Sequence, residues 1–65
     1  MTEAIYLLAR IHRGYQVPFE DLTSTEVHWL NDEGFIRYTL DGVEITAIGA
    51  IRAQQYENRS SGRSK

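Results

Sequence analysis

The chain carries few residues of the kinds that enzymes use for catalysis. It has no cysteine, and its two histidines fall in different predicted elements. Two pairs of adjacent carboxylates stand at Glu20-Asp21 and Asp32-Glu33. Neighbouring side chains diverge on a helix, so neither pair is arranged as a general acid and base. The sequence also has no metal-ligand spacing and no glycine-rich phosphate loop, so we expect a non-enzyme without cofactor, metal or small-molecule substrate.

Side chains suited to contacting a macromolecule are concentrated in residues 24–33. Helical periodicity there buries Val27 and Leu30 and turns the opposite side outward. Hydrogen-bonding groups, an aromatic anchor and one basic residue of the following strand make up the predicted macromolecule-binding surface: Thr25, His28, Trp29, Asn31, Asp32 and Arg37.

Trp29 has two interpretations. Tryptophan is enriched among the few residues that dominate an interface, and carboxylates would form a charged rim around this one. Tryptophan is also often partly buried in compact domains, so Trp29 could instead fold over the edge of a small core.

The first element that positions this surface is an amphipathic helix. Ile5, Leu8 and Ile11 recur at helical spacing, and Gly14 is expected to end the helix. Pro18 suits the first turn of a short second helix, in which we expect Phe19 and Leu22 to point inward.

A third helix is predicted from about Ser24 to Glu33. Thr23 and Glu26 have capping-box spacing, and Leu22 is placed to contact Val27 as a hydrophobic staple. At the other end, Gly34 can adopt the left-handed conformation of a Schellman ending, which would bring Phe35 against Leu30.

A β-hairpin follows, because apolar and polar residues alternate after Gly34. The Asp41-Gly42 turn signal predicts three cross-strand pairs: Leu40 with Val43, Thr39 with Glu44, and Tyr38 with Ile45.

Thr46 is expected to cap a final helix. The apolar spacing of that helix predicts one buried stripe of Ile48, Ile51 and Gln55, with Arg52 and Glu57 outside it.

Charge divides the 65-residue chain into two parts. Residues 1–58 hold four basic and nine acidic side chains, a balance of 4 − 9 = −5, whereas residues 59–65 hold the other three basic side chains and no apolar one. We therefore expect one acidic domain over 1–58 and a disordered basic tail over 59–65. No apolar run reaches the roughly 20 residues that span a bilayer, so a cytoplasmic protein is predicted.

The order of elements resembles the winged helix-turn-helix family over residues 3–56. The segment from Trp29 to Ile36 is similar to the end of that family's third helix as it enters the wing, and Ile45-Thr46 followed by Gly49 is similar to its strand-to-helix exit. The resemblance implies an α+β fold, a small winged helix of three helices, a β-hairpin wing and a C-terminal helix. It also implies DNA-associated transcription regulation, with the third helix in the major groove. The small core favours a homodimer or a bound partner.

The residues of the third helix favour a different partner. The helix has no Arg or Lys for guanine or phosphate, and the wing tip carries Asp41. Asn31, His28, the basic residues Arg10, Arg13 and Arg52, and the basic tail could still give weak contact with the DNA backbone. We therefore keep two predictions open. The first is a DNA-binding regulator. The second is a protein-binding module or an acidic inhibitor of a nucleic-acid-handling protein, similar to phage-encoded inhibitors such as anti-CRISPR proteins. The acidic inhibitor would use a surface formed by Glu20, Asp21, Glu26, Asp32 and Glu33.

Overall fold

Three α-helices and one antiparallel hairpin form a small α+β fold. The computed structural model describes residues 2–62, and side chains through residue 59. The elements follow in the order α1 (Thr2–His12), a 3-10 turn (Phe19–Asp21), α2 (Thr25–Asp32), β1 (Ile36–Thr39), β2 (Gly42–Ile45) and α3 (Ala47–Gly62).

One small core joins the three helices and β1, and Val43 and Ile45 of β2 pack against it. It is formed by short and branched side chains from the three helices and β1: Ala4, Leu8, Val27, Leu30, Ile36 and Ala53. The predicted inward position of Phe19 is wrong, because its side chain is 86% exposed. Phe19 begins a turn of only three residues, which is too short to form an apolar face of its own. Leu22, just after this turn, is half-buried.

The predicted ends of α1 and α2 are confirmed. Gly14 and Gly34 have φ angles of 110° and 83°, in the left-handed region that glycine tolerates. Beyond them, the Tyr15 amide donates to the Arg10 carbonyl and the Phe35 amide donates to the Leu30 carbonyl, each at 3.0 Å. Both helices therefore end in Schellman motifs, which satisfy carbonyl groups that the helix leaves unpaired.

The predicted cap of α2 is wrong by one residue. Ser24, not Thr23, has the extended N-cap conformation, and its hydroxyl accepts a 3.3 Å hydrogen bond from the Val27 amide. The Ser24 amide itself donates to the Asp21 carbonyl and so closes the preceding turn. The turn therefore places Ser24 directly before α2, where its hydroxyl can accept from an amide of the first helical turn.

The predicted hairpin register is wrong by two residues. The observed pairs are Ile36 with Ile45, Arg37 with Glu44, Tyr38 with Val43, and Thr39 with Gly42. The predicted register would pair Arg37 with Thr46, but the Thr46 amide donates to the Phe35 carbonyl at the entrance to α3. A shift of two preserves the face of each side chain. It does, however, move Leu40 into the turn, where it is fully exposed.

The predicted buried stripe of α3 is also wrong. Ile48 and Ile51 are 60% and 61% exposed, and Gln55 is exposed beside them. Gly49 and Ala53 face the core instead. A Cβ atom on Gly49 would lie 1.9 Å from the Phe35 carbonyl oxygen, so the helix approaches the chain too closely for a larger residue. Periodicity of apolar residues does not reveal a contact made by small ones.

The cap of α3 is confirmed. The Thr46 hydroxyl accepts a 3.1 Å hydrogen bond from the Gly49 amide and donates a 2.7 Å hydrogen bond to the Gly34 carbonyl. One side chain therefore begins α3 and binds it to the end of α2.

The last helix extends beyond the predicted domain boundary. It continues through residues 59–62, which the sequence analysis assigned to the tail, whereas residues 63–65 lie outside the described part of the chain. None of the helices in residues 2–62 is long and apolar enough to cross a bilayer.

Candidate macromolecule-binding site

The outward side of α2 holds most of the predicted binding residues. Thr25, His28 and Asp32 are exposed, whereas Trp29 and Asn31 are half-buried. Helical geometry explains this division, because the burial of Val27 and Leu30 turns the other side of α2 to solvent.

The hairpin extends this surface through a residue that the sequence analysis did not select. The rings of Tyr38 and His28 make an edge-to-face contact, with centroids 6.3 Å apart and planes at 69°. The Tyr38 hydroxyl also donates to the Leu22 carbonyl at 3.1 Å. Sequence spacing does not predict this contact, because Tyr38 and His28 belong to different elements, ten residues apart. We call the surface formed by Thr25, His28, Asp32 and Tyr38 the α2–hairpin face.

Trp29 folds over the edge of the core. Its ring packs against the buried cluster and meets Phe35 edge to face, with centroids 6.1 Å apart and planes at 62°. The interpretation in which Trp29 folds over the core edge is thereby confirmed, and its role as an interface anchor stays a prediction. Trp29 is half-buried and lies one helical turn from both Thr25 and Asp32, so it is next to the α2–hairpin face.

The exposed charge of α2 and of the segments that flank it is predominantly negative. Arg37 is the one basic residue in α2 and the hairpin, and it forms an exposed ion pair with Glu44, its cross-strand neighbour. Asp32 and Glu33 are exposed at the end of α2. Glu20 and Asp21 are exposed in the turn that precedes it. An approaching anion would therefore meet repulsion from several carboxylates.

A second feature, a groove of about 630 Å³, lies between α1 and α3. Three tyrosines and two arginines line it around the small side chain of Ala9: Tyr6, Arg10, Arg13, Tyr15 and Tyr56. From the sequence, Arg10 and Arg13 are predicted only as weak DNA contacts. The groove is not predictable from spacing, because its walls come from opposite ends of the chain.

Two contacts hold the arginines in this α1–α3 groove. The Arg10 guanidinium lies over the Tyr15 ring, 4.2 Å from its centroid. The Arg13 Nε donates to Glu57 Oε2 at 2.8 Å, which joins α1 to α3. Both side chains are exposed at the groove while these contacts restrict their movement.

Comparison with protein-family models, curated proteins and solved structures finds no match to this chain. The described side chains form no cluster of three or more potential metal ligands.

Proposed function

We propose that the protein is a small, non-enzymatic regulator with a winged-helix layout, in which the hairpin is the wing. It acts by binding a protein partner through the α2–hairpin face. The order of elements supports the layout, since α2 is followed by a hairpin and a capped C-terminal helix. The partner that this face fits is a protein with a positively charged surface.

The observation that carries this proposal is the charge of the α2–hairpin face. DNA binding depends on cations that replace the counterions of the phosphates. Here Asp32 lies on the face and Glu33 follows it, α2 has no arginine or lysine, and Arg37 is already paired with Glu44. A positively charged protein surface would gain attraction from the same carboxylates and would associate faster for that reason.

DNA-associated regulation is the second candidate, because Asn31 lies on α2 and an amide side chain can bind adenine in the major groove. The two candidates differ in the ligand that is bound and in their response to removal of a carboxylate. Duplex binding would weaken steeply with salt and strengthen when Asp32 is neutralised. Binding to a basic protein would weaken with both changes.

The test combines duplex titration with partner capture. Fluorescence anisotropy of a mixed duplex pool at low and moderate salt should show no binding by the full chain. Immobilised wild-type protein should capture a basic protein from extract, Asp32→Asn should capture less, and Glu3→Gln should match the wild type. Glu3 is also an exposed carboxylate, on α1, and so controls for net charge. Salt-sensitive duplex binding that Asp32→Asn strengthens would overturn the proposal in favour of DNA.

A further inference from the structure

An aromatic side chain and two carboxylates project together from the 3-10 turn. Phe19 is 86% exposed, and the adjacent Glu20 and Asp21 are exposed as well. We call these residues the Phe19 knob. A single exposed apolar residue is ordinary on a protein surface, but this one is combined with a local charge of −2. A site complementary to this knob would combine an aromatic surface with positively charged side chains.

The α1–α3 groove offers that complementary chemistry. Tyr6, which is 54% exposed, and Tyr56 present rings against which another aromatic ring can pack edge to face. Arg10 and Arg13 supply guanidinium groups, which bind carboxylates through directed N–H donors. Two guanidinium groups and the Glu57 carboxylate give the groove a local charge of 2 − 1 = +1.

We infer that the Phe19 knob of one copy docks in the α1–α3 groove of a second copy of this chain. The Phe19 ring packs between the tyrosines, and Glu20 and Asp21 approach Arg10 and Arg13. Stacking on Tyr15 restricts Arg10, and the bond to Glu57 restricts Arg13, so less side-chain freedom is lost when a carboxylate arrives.

The charges of the groove favour this occupant over a nucleic acid strand. A strand would require a series of cations along its phosphates, whereas here one of two arginines is paired with a carboxylate. The exposed pair Ile48 and Ile51 on α3 is another possible contact between copies, but it offers no charge complementarity to the knob. It serves as the competing surface in the test.

Each copy has one knob and one groove on different elements, so the contact joins unlike surfaces. Such a contact is small, and we expect a dissociation constant between about 10 µM and 1 mM. The mass of the full chain, measured by sedimentation equilibrium, should therefore rise across this range of concentration.

Two variants test the two halves of the contact. Phe19→Ala should weaken self-association at least about tenfold because it removes the aromatic anchor, and Arg10→Glu should do the same by reversing a groove charge. Ile51→Gln removes an exposed apolar side chain from another surface, and Arg37→Gln removes an exposed guanidinium outside the groove. Both controls should associate like the wild type. Circular dichroism melts establish that each variant is folded.

Mixing the two variants provides the decisive measurement. Phe19→Ala retains an intact groove and Arg10→Glu retains an intact knob, so the mixture should form a one-to-one dimer at concentrations at which each variant alone is monomeric. A wild type that remains monomeric at about 1 mM would overturn the inference. So would a monomeric mixture, or association that Ile51→Gln abolishes and Phe19→Ala does not. Loss of partner capture in Asp32→Asn has no bearing on these results, so the two proposals fail separately.

Discussion

Gly49 lies against the main chain of Phe35, and an added Cβ atom would approach the Phe35 carbonyl oxygen to 1.9 Å. The first turn of α3 thus packs directly on the segment that leads from α2 into β1. Thr46 strengthens the same junction, since its hydroxyl donates to Gly34 while capping α3. The relative position of α2, the hairpin and α3 depends on this junction, and so does the α2–hairpin face.

Gly49→Ala should therefore destabilise the protein. Replacing glycine by alanine within a helix ordinarily stabilises it by about 0.5–1 kcal/mol. Here the new methyl group meets rigid backbone, and we expect a net loss of about 1–3 kcal/mol in the free energy of unfolding. Urea denaturation measures the change, with Gln54→Ala on the exposed side of α3 as the control. A Gly49→Ala protein as stable as the wild type would show that α3 does not approach Phe35 this closely.

Gly34→Val should destabilise the protein for a different reason. Nothing lies within 4 Å of a Cβ atom built on Gly34, but its φ of 83° disfavours side chains in general and branched ones most. The expected loss is at least about 1–2 kcal/mol, and Gly34→Asn should lose less because asparagine tolerates this conformation. Thermal melts compare the two, and equal stability of Gly34→Val and wild type would contradict the observed helix ending.

The ends of α1 and α2 and the start of α3 were the part of the fold best predicted from the sequence. Gly14, Gly34 and Thr46 act within a few residues of their own positions, so local chemistry is enough to assign them. The hairpin register, in contrast, depends on a residue outside the two strands. Thr46 is needed at the start of α3, so it cannot pair with Arg37 as the turn signal alone would suggest.

The buried side of α3 could not be predicted because it consists of small residues. Gly49 and Ala53 pack against the core while Ile48 and Ile51 face solvent, which reverses the usual reading of apolar periodicity.

The predicted α2 residues lie together on one helix, as sequence spacing implies. Tyr38 and the α1–α3 groove depend on contacts between distant segments, which spacing does not encode.

Ser24→Ala should cost more stability than Thr23→Ala. Ser24 accepts the Val27 amide at the start of α2, and loss of such a cap costs about 1 kcal/mol. Thr23 is exposed and outside the helix, so its replacement should change stability by less than about 0.5 kcal/mol. Paired urea titrations measure both. The opposite ranking would restore Thr23 as the cap.

Trp29 links the core to the proposed binding surface, so its replacement requires separate readouts of stability and binding. Trp29→Ala removes packing against Phe35 and the core, and we expect a loss of about 2 kcal/mol. Trp29→Phe should retain most of that stability because an aromatic ring remains. Urea denaturation measures the stability of both variants, and partner capture is then compared at a temperature where both are folded. If Trp29→Ala captures as much partner as the wild type, Trp29 supports the fold alone and is not an anchor of the interface.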